Sequence, residues 1–162
     1  MQTNPTDTTH TQSHSADVPP APPEAHQTAG SDFGDVVYAY TRSQAIEDGF
    51  LVDVAEVARE AGFSVPVALS RALWEDCVAW SDEDTERQTY QDEAGRLWDV
   101  VYMASNAARQ AAARRLSEVC YSIYRVPRGG RGVRARLTSI KMVIGPGDAG
   151  EPVITLMQPS ED

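Results

Sequence analysis

A chain of 162 residues with 41% hydrophobic side chains can fill one core, and no stretch of it approaches the roughly 18 apolar residues a membrane-spanning helix needs. Its net charge of −10, from 24 acids against 14 bases, counts against generic duplex binding, whose affinity comes from phosphate neutralisation by Lys and Arg. Two cysteines outside any C-x-x-C pair, and an N-terminus with neither a basic nor an apolar signal region, predict a soluble cytoplasmic protein with reduced thiols.

Residues 1–35 hold five acids (Asp7, Asp17, Glu24, Asp32 and Asp35), no Lys or Arg, and little apolar content beyond Phe33. Rich in Thr, Ser, Gln and Pro, they cannot bury enough surface to offset their ordering entropy. The sequence therefore predicts a disordered tail ahead of a single domain over residues 36–162. The charge divides evenly, with −5 in the tail and, from 19 acids against 14 bases, −5 in the domain.

The domain opens on VVYAY, a strand by its β-branched and aromatic content. Thr41 and Gln44 make a T-x-x-Q capping box for a short helix, Arg42 to Asp48, which Gly49 ends. FLV is a brief extended piece. Asp53 and Glu56 read as a second cap, for a helix with the stripe Val54, Val57, Ala58 and Ala61, closed by Gly62. Pro66 places FSVPVAL at an edge or in a loop. Ser70 to Met103 then holds all three tryptophans. Leu69, Leu73, Cys77 and Trp80 form one helical stripe; Leu97, Val100, Val101, Ala104 and Ala108 form a second.

Between those helices, Ser81 with Asp84 reads as a further helix start, and Gly95 as an interruption before a helix that runs to about Arg115. Beyond Leu116 the apolar period falls from 3.6 to 2, with Val119, Tyr121 and Ile123 alternating with Cys120, Ser122 and Tyr124. PRGGRG and GPGDAGEP are turns joining this strand to Arg134–Ile144 and then to VITLM. The expected fold class is α+β: several short helices followed by a C-terminal three-stranded antiparallel meander. Trp98 is expected in the core, where truncation to Ala would cost about 3–5 kcal/mol. Cys77 and Cys120 are expected as core thiols.

Four segments, VVYAYTRSQAIEDGFLVDVAEVAREAGF, VALSRALWEDCVAW, YQDEAGRLWDVVYMA and EPVITLMQPSED, resemble an uncharacterised family of small proteins carried by bacterial plasmids, integrative elements and phages. The resemblance covers nearly everything after Val36. It implies mobile-element cargo, among which anti-restriction and anti-CRISPR proteins are common neighbours, and it supplies no catalytic residues.

His10, His14 and His26 all fall in the tail, leaving the domain without histidine. Ser-His and Cys-His nucleophiles and the usual His/Cys zinc site are then out of reach. No catalytic residue, cofactor or metal site is expected. An enzyme would have to work through groups such as Asp99, Tyr102 and Tyr124. Neither glycine-rich turn matches the phosphate-loop pattern G-x-x-x-x-G-K-[ST].

Charge is polarised along the chain. Glu75 to Glu93 contains eight acids and one base, Arg87; Arg109 to Lys141 contains nine bases and one acid, Glu118. One reading is internal neutralisation when the two stretches pack. The preferred reading is a non-enzymatic protein-binding module, a mobile-element accessory or counter-defence factor, that meets its partner through Glu75, Asp76, Asp82, Glu83, Asp84 and Glu86. The alternative is RNA or single-stranded DNA binding through Arg125, Arg128, Arg131, Arg134 and Arg136, with Tyr121 and Tyr124 as stacking platforms. No membrane partner is expected.

A chain beginning at Ser31 should keep the melting temperature of the full chain. A drop of more than a few degrees would show that the preceding residues pack on the domain.

Overall fold

The computed structural model describes residues 40–162. The expected tail and all of VVYAY except Tyr40 lie outside these residues, and Tyr40 itself is not in a strand. Both halves of the first capping box form. Thr41 Oγ1 accepts from the Gln44 N–H and the Gln44 side chain accepts from the Thr41 N–H, starting α1 (Arg42–Glu47). Gly49 follows at φ +77°, a left-handed conformation open to glycine at little cost. FLV supplies β1 (Leu51–Asp53), and α2 (Ala55–Glu60) comes next. The second capping box is absent: Asp53 accepts from the Ala55 N–H, and Val54 occupies the N-cap.

The sheet departs furthest from expectation. β2 (Val67–Ser70) is neither edge nor loop; it is wholly buried between β1 and β5 (Pro152–Met157). With β3 (Glu118–Arg125) and β4 (Arg136–Pro146) it completes five strands in the order β1-β2-β5-β4-β3. The C-terminal strands do pair antiparallel in succession, but β5 also pairs with β2 in parallel, so the sheet is mixed and not a three-stranded meander. The physical reason is burial. VALS is too apolar to expose, and β5 would otherwise present an open row of backbone donors and acceptors. Pro66 stands just before the strand, where its missing N–H is not needed, and its carbonyl still accepts from the Ile154 N–H.

Ser70 ends β2 and caps the next helix, its Oγ accepting from the Leu73 N–H. α3 (Arg71–Leu73) widens into a π-helix (Trp74–Val78). The expected stripe survives the change of pitch, since Leu69, Leu73, Cys77 and Trp80 are all buried. α4 (Asp82–Arg87) starts on the Ser81–Asp84 capping box. α5 (Glu93–Arg114) starts at Asp92, whose carboxylate accepts from the Gly95 N–H; Gly95 therefore sits in the first turn and interrupts nothing.

α5 lays Val100, Val101, Ala104, Ala107 and Ala111 into one core with Val67, Leu69, Ile123, Ile140, Met142, Ile154 and Leu156 of the sheet. The strand register puts those sheet residues on one face. On the other face, Arg42 of α1 donates to Thr155 Oγ1 and the Ile154 carbonyl. Beside it Glu161 accepts from Ser70 Oγ and, through its carbonyl, from Lys141 Nζ. That cover stops short of the β3–β4 end. Cys120, Tyr124, Leu137 and Ser139 are exposed there, so Cys120 is not a core thiol. No helix among the described residues is long and apolar enough to cross a membrane.

Trp98 is likewise not a core residue. It is 38% exposed and stacks on Tyr102 with ring centres 5.7 Å apart, because the core face of α5 runs through Val100, Val101 and Ala104. Trp98→Ala should accordingly cost about 1 kcal/mol or less. Leu156→Ala, at a fully buried position where β5 meets both neighbours, should cost about 2–5 kcal/mol. Urea unfolding of the two variants gives the order, and equal losses would return Trp98 to the core.

Candidate functional site

One end of the domain is held by Arg96, a residue that no motif marks. It lies in the first turns of α5 and is 6% exposed. Its guanidinium donates to the carbonyls of Val78 (3.0 Å), Val126 (3.2 Å) and Asp76 (3.4 Å) and to Gln91 Oε1 (3.4 Å). It also lies 4.7 Å from the centre of the Trp80 ring, within cation–π range. Asp76 and Val78 close the π-helix, where carbonyls run out of partners along the chain. Val126 opens the β3–β4 connection. One side chain therefore ties the π-helix, α5 and the base of the hairpin loop together. Burial pulls its pKa below the usual arginine value, with the nearby acids acting the other way.

The acidic and basic stretches of the sequence meet just beside it. Arg125 donates to both carboxylate oxygens of Asp76, at 2.7 and 2.9 Å from one nitrogen. Arg128 bridges Glu75 and Asp84, each at 2.7 Å. The Asp84 side chain is 3% exposed and also accepts from Ser81, both N–H and Oγ. The Arg128 guanidinium first, and Ser81 second, hold its carboxyl down at about 2. Gln88, the C-cap of α4, donates through Nε2 to the Pro127 carbonyl (3.0 Å) and the Gly132 carbonyl (2.6 Å), gripping both ends of PRGGRG. Its Oε1 is buried with no partner among the described residues.

Of the six acids expected at a partner face, Glu75, Asp76 and Asp84 thus have arginine partners inside the fold. Asp82, Glu83 and Glu86 stay exposed on α4, and Glu83 makes a surface pair with Arg87 at 3.3 Å. The arginines divide in the same way. Arg131, Arg134 and Arg136 are exposed, and their side chains have no hydrogen bond or ion pair among the described residues. With Arg128 and Val133 they line an open concavity of about 530 Å³.

The tyrosines also separate. Tyr124 is 70% exposed and sits opposite Leu137, which is 60% exposed. Tyr121 points inward; its hydroxyl donates to the Val100 carbonyl at 3.1 Å, and burial raises its pKa well above the ordinary value. It cannot serve as a stacking platform. Asp99 and Tyr124 share a cavity of about 170 Å³ with Arg96, Arg125 and Cys77, and Tyr102 is not in its lining. That is smaller than the roughly 300 Å³ at which small-molecule pockets begin. Burial first, and Asp76 second, push the Cys77 thiol up to about 12. A thiol so protonated at neutral pH is a poor nucleophile.

Two measurements check this geometry. At pH 8, iodoacetamide should modify Cys120 in the native chain and spare Cys77, giving one adduct by mass spectrometry and two after denaturation. The depressed Asp84 carboxyl contributes stability that is fully present above the ordinary carboxylate pKa of about 4 and is lost as pH falls through about 2. Asp84→Asn should therefore lower stability at pH 7 by about 1–2 kcal/mol and flatten the loss between pH ~4 and pH ~2. Urea midpoints across that range would show it.

Residues 30–162 match a family of unknown function (DUF6573). No curated protein and no solved structure matches the chain. The matched span takes in all five strands, the Arg96 junction and the arginine-lined loop. The chain therefore belongs to the DUF6573 family.

Proposed function

We propose that this domain is a non-enzymatic binding module whose receptor surface is the β3–β4 loop and whose ligand is a polyanion. One observation carries the reading: Arg131, Arg134 and Arg136 line an open concavity with no carboxylate partner among the described residues. Their neighbours Arg125 and Arg128 are paired. From Val119 to Gly147 the chain holds six bases and no acid, so the local potential is positive although the whole is not. The loop is also held in advance by Gln88 and by Arg128 on Asp84, which lowers the ordering cost of binding. The resemblance to proteins of plasmids, integrative elements and phages supports a cytoplasmic mobile-element accessory or counter-defence role.

A second reading is a protein partner on the acidic side. The exposure of Asp82, Glu83 and Glu86 favours it, as does the exposed Trp98–Tyr102 stack, since aromatic side chains anchor many interfaces.

Heparin affinity separates the two. The natural chain should be retained at low salt, and the triple variant Arg131→Gln, Arg134→Gln, Arg136→Gln should pass through with an unchanged melting temperature. Asp82→Asn, Glu83→Gln, Glu86→Gln should be retained at least as well as the natural chain. If the arginine variant binds heparin normally, while the acidic variant and Trp98→Ala lose a protein partner, the second reading replaces the first.

A further inference from the structure

We infer that the polyanion is a single-stranded nucleic acid, held by its phosphates in the arginine loop and by a base stacked on Tyr124. The inference rests on the arginine-loop reading above. Tyr124 and Leu137 form a directly opposed pair at the end of the β3–β4 hairpin, on the face that α1 and the Glu161 segment leave uncovered. The pair supports the hairpin as a cross-strand contact, yet it leaves Tyr124 70% and Leu137 60% exposed. Val133 (56% exposed) lines the arginine concavity itself, and Tyr124 and Leu137 stand at the strand ends that lead into the loop. Arginine guanidinium groups within one strand's reach of an exposed aromatic ring are the pairing that single strands use, phosphate on the cation and base on the ring. An acidic peptide would satisfy the arginines but would leave the Tyr124–Leu137 surface with nothing to cover it.

The arrangement also selects against a duplex. Arg136 and Leu137 are adjacent in β4, and adjacent strand residues point to opposite faces. The Arg136 side chain and the Tyr124 ring therefore lie on opposite sides of the hairpin end. A flexible strand can turn over that end, with phosphates on one side and an unstacked base on the other. A duplex holds its bases inside and its backbone straight, and it would need a broad positive face that a domain with 19 acids against 14 bases does not offer.

The test uses the full chain and a fluorescein-labelled 12-nucleotide oligo-dT or oligo-U, read by anisotropy, with a 12-base-pair duplex and heparin as comparisons. The natural chain should bind the single strands more tightly than the duplex, and binding should weaken between 50 and 200 mM salt, on the order of tenfold for two or three phosphate contacts. Tyr124→Ala should weaken oligonucleotide binding by about 5- to 150-fold, the effect of losing one stacked base, and should leave heparin retention unchanged. Tyr124→Phe should restore it. The double variant Arg134→Gln, Arg136→Gln should lose both ligands. If heparin binds through the arginines but no oligonucleotide does, or if Tyr124→Ala binds oligonucleotide as the natural chain does, the inference is wrong while the polyanion reading stands. If neither ligand binds the natural chain, both fall.

Discussion

The burial of the Arg96 guanidinium is the constraint on which the rest of this structure depends. A charge taken out of water at this depth is costly unless its donors are met, and here carbonyl dipoles and one amide oxygen meet them with no carboxylate in direct contact. The geometry suits arginine alone. Its planar fork reaches three backbone carbonyls at once and still lays a flat face on Trp80, which an ammonium group could not do. The carbonyls gain as much as the cation does, because a π-helix that ends inside the domain would otherwise leave them unsatisfied. Val126, where β3 gives way to the loop, is fixed by this junction, while Gln88 and Arg128 fix the loop itself.

The charge polarity of the sequence has two physical origins that composition cannot separate. Part of it is internal neutralisation, where Glu75, Asp76 and Asp84 meet Arg125 and Arg128 across a narrow interface. Those groups are partly shielded from water and their geometry is bidentate or bridging, so they fix position more than they add stability. What remains after this pairing is unequal in kind. The residual acids sit on a two-turn surface helix among water, whereas the residual bases surround a concavity. Whether a charge faces open water or a hollow depends on the fold around it, and that shape is not written in the order of residues.

Most local signals in the sequence were legible, the Asp53–Glu56 cap and the break at Gly95 excepted, and the non-local ones were not. The capping boxes at Thr41 and Ser81, the glycine after α1, the core stripes and the alternation of Val119, Tyr121 and Ile123 all act within a few residues, and each is present. The parallel pairing of β2 with β5 acts between segments far apart, and a four-residue apolar run carries no sign of its partner. Trp98 misleads because size suggests burial, while the helical phase set by Val100, Val101 and Ala104 turns it outward. The five candidate arginines look alike in the sequence, which gives no sign of their division into paired and unpaired. Pairing depends on which acids the π-helix and α4 bring near, and Arg96 and Gln88 look like ordinary polar residues until their acceptors are known.

The seating of β2 between β1 and β5 has a consequence for how the chain reaches this structure. Val67 pairs with Ile154, 87 positions further on (154 minus 67), so the middle of the sheet closes only when its most distant segments meet. Closing a loop of that length is entropically costly and must precede the burial that rewards it, which makes such topologies slow to form. On a ribosome adding roughly 5–20 residues per second, the VALS segment waits several seconds with its apolar side chains unpaired. During that interval the most buried strand of the finished domain is its most exposed liability, and the cell's holding chaperones are its natural first company.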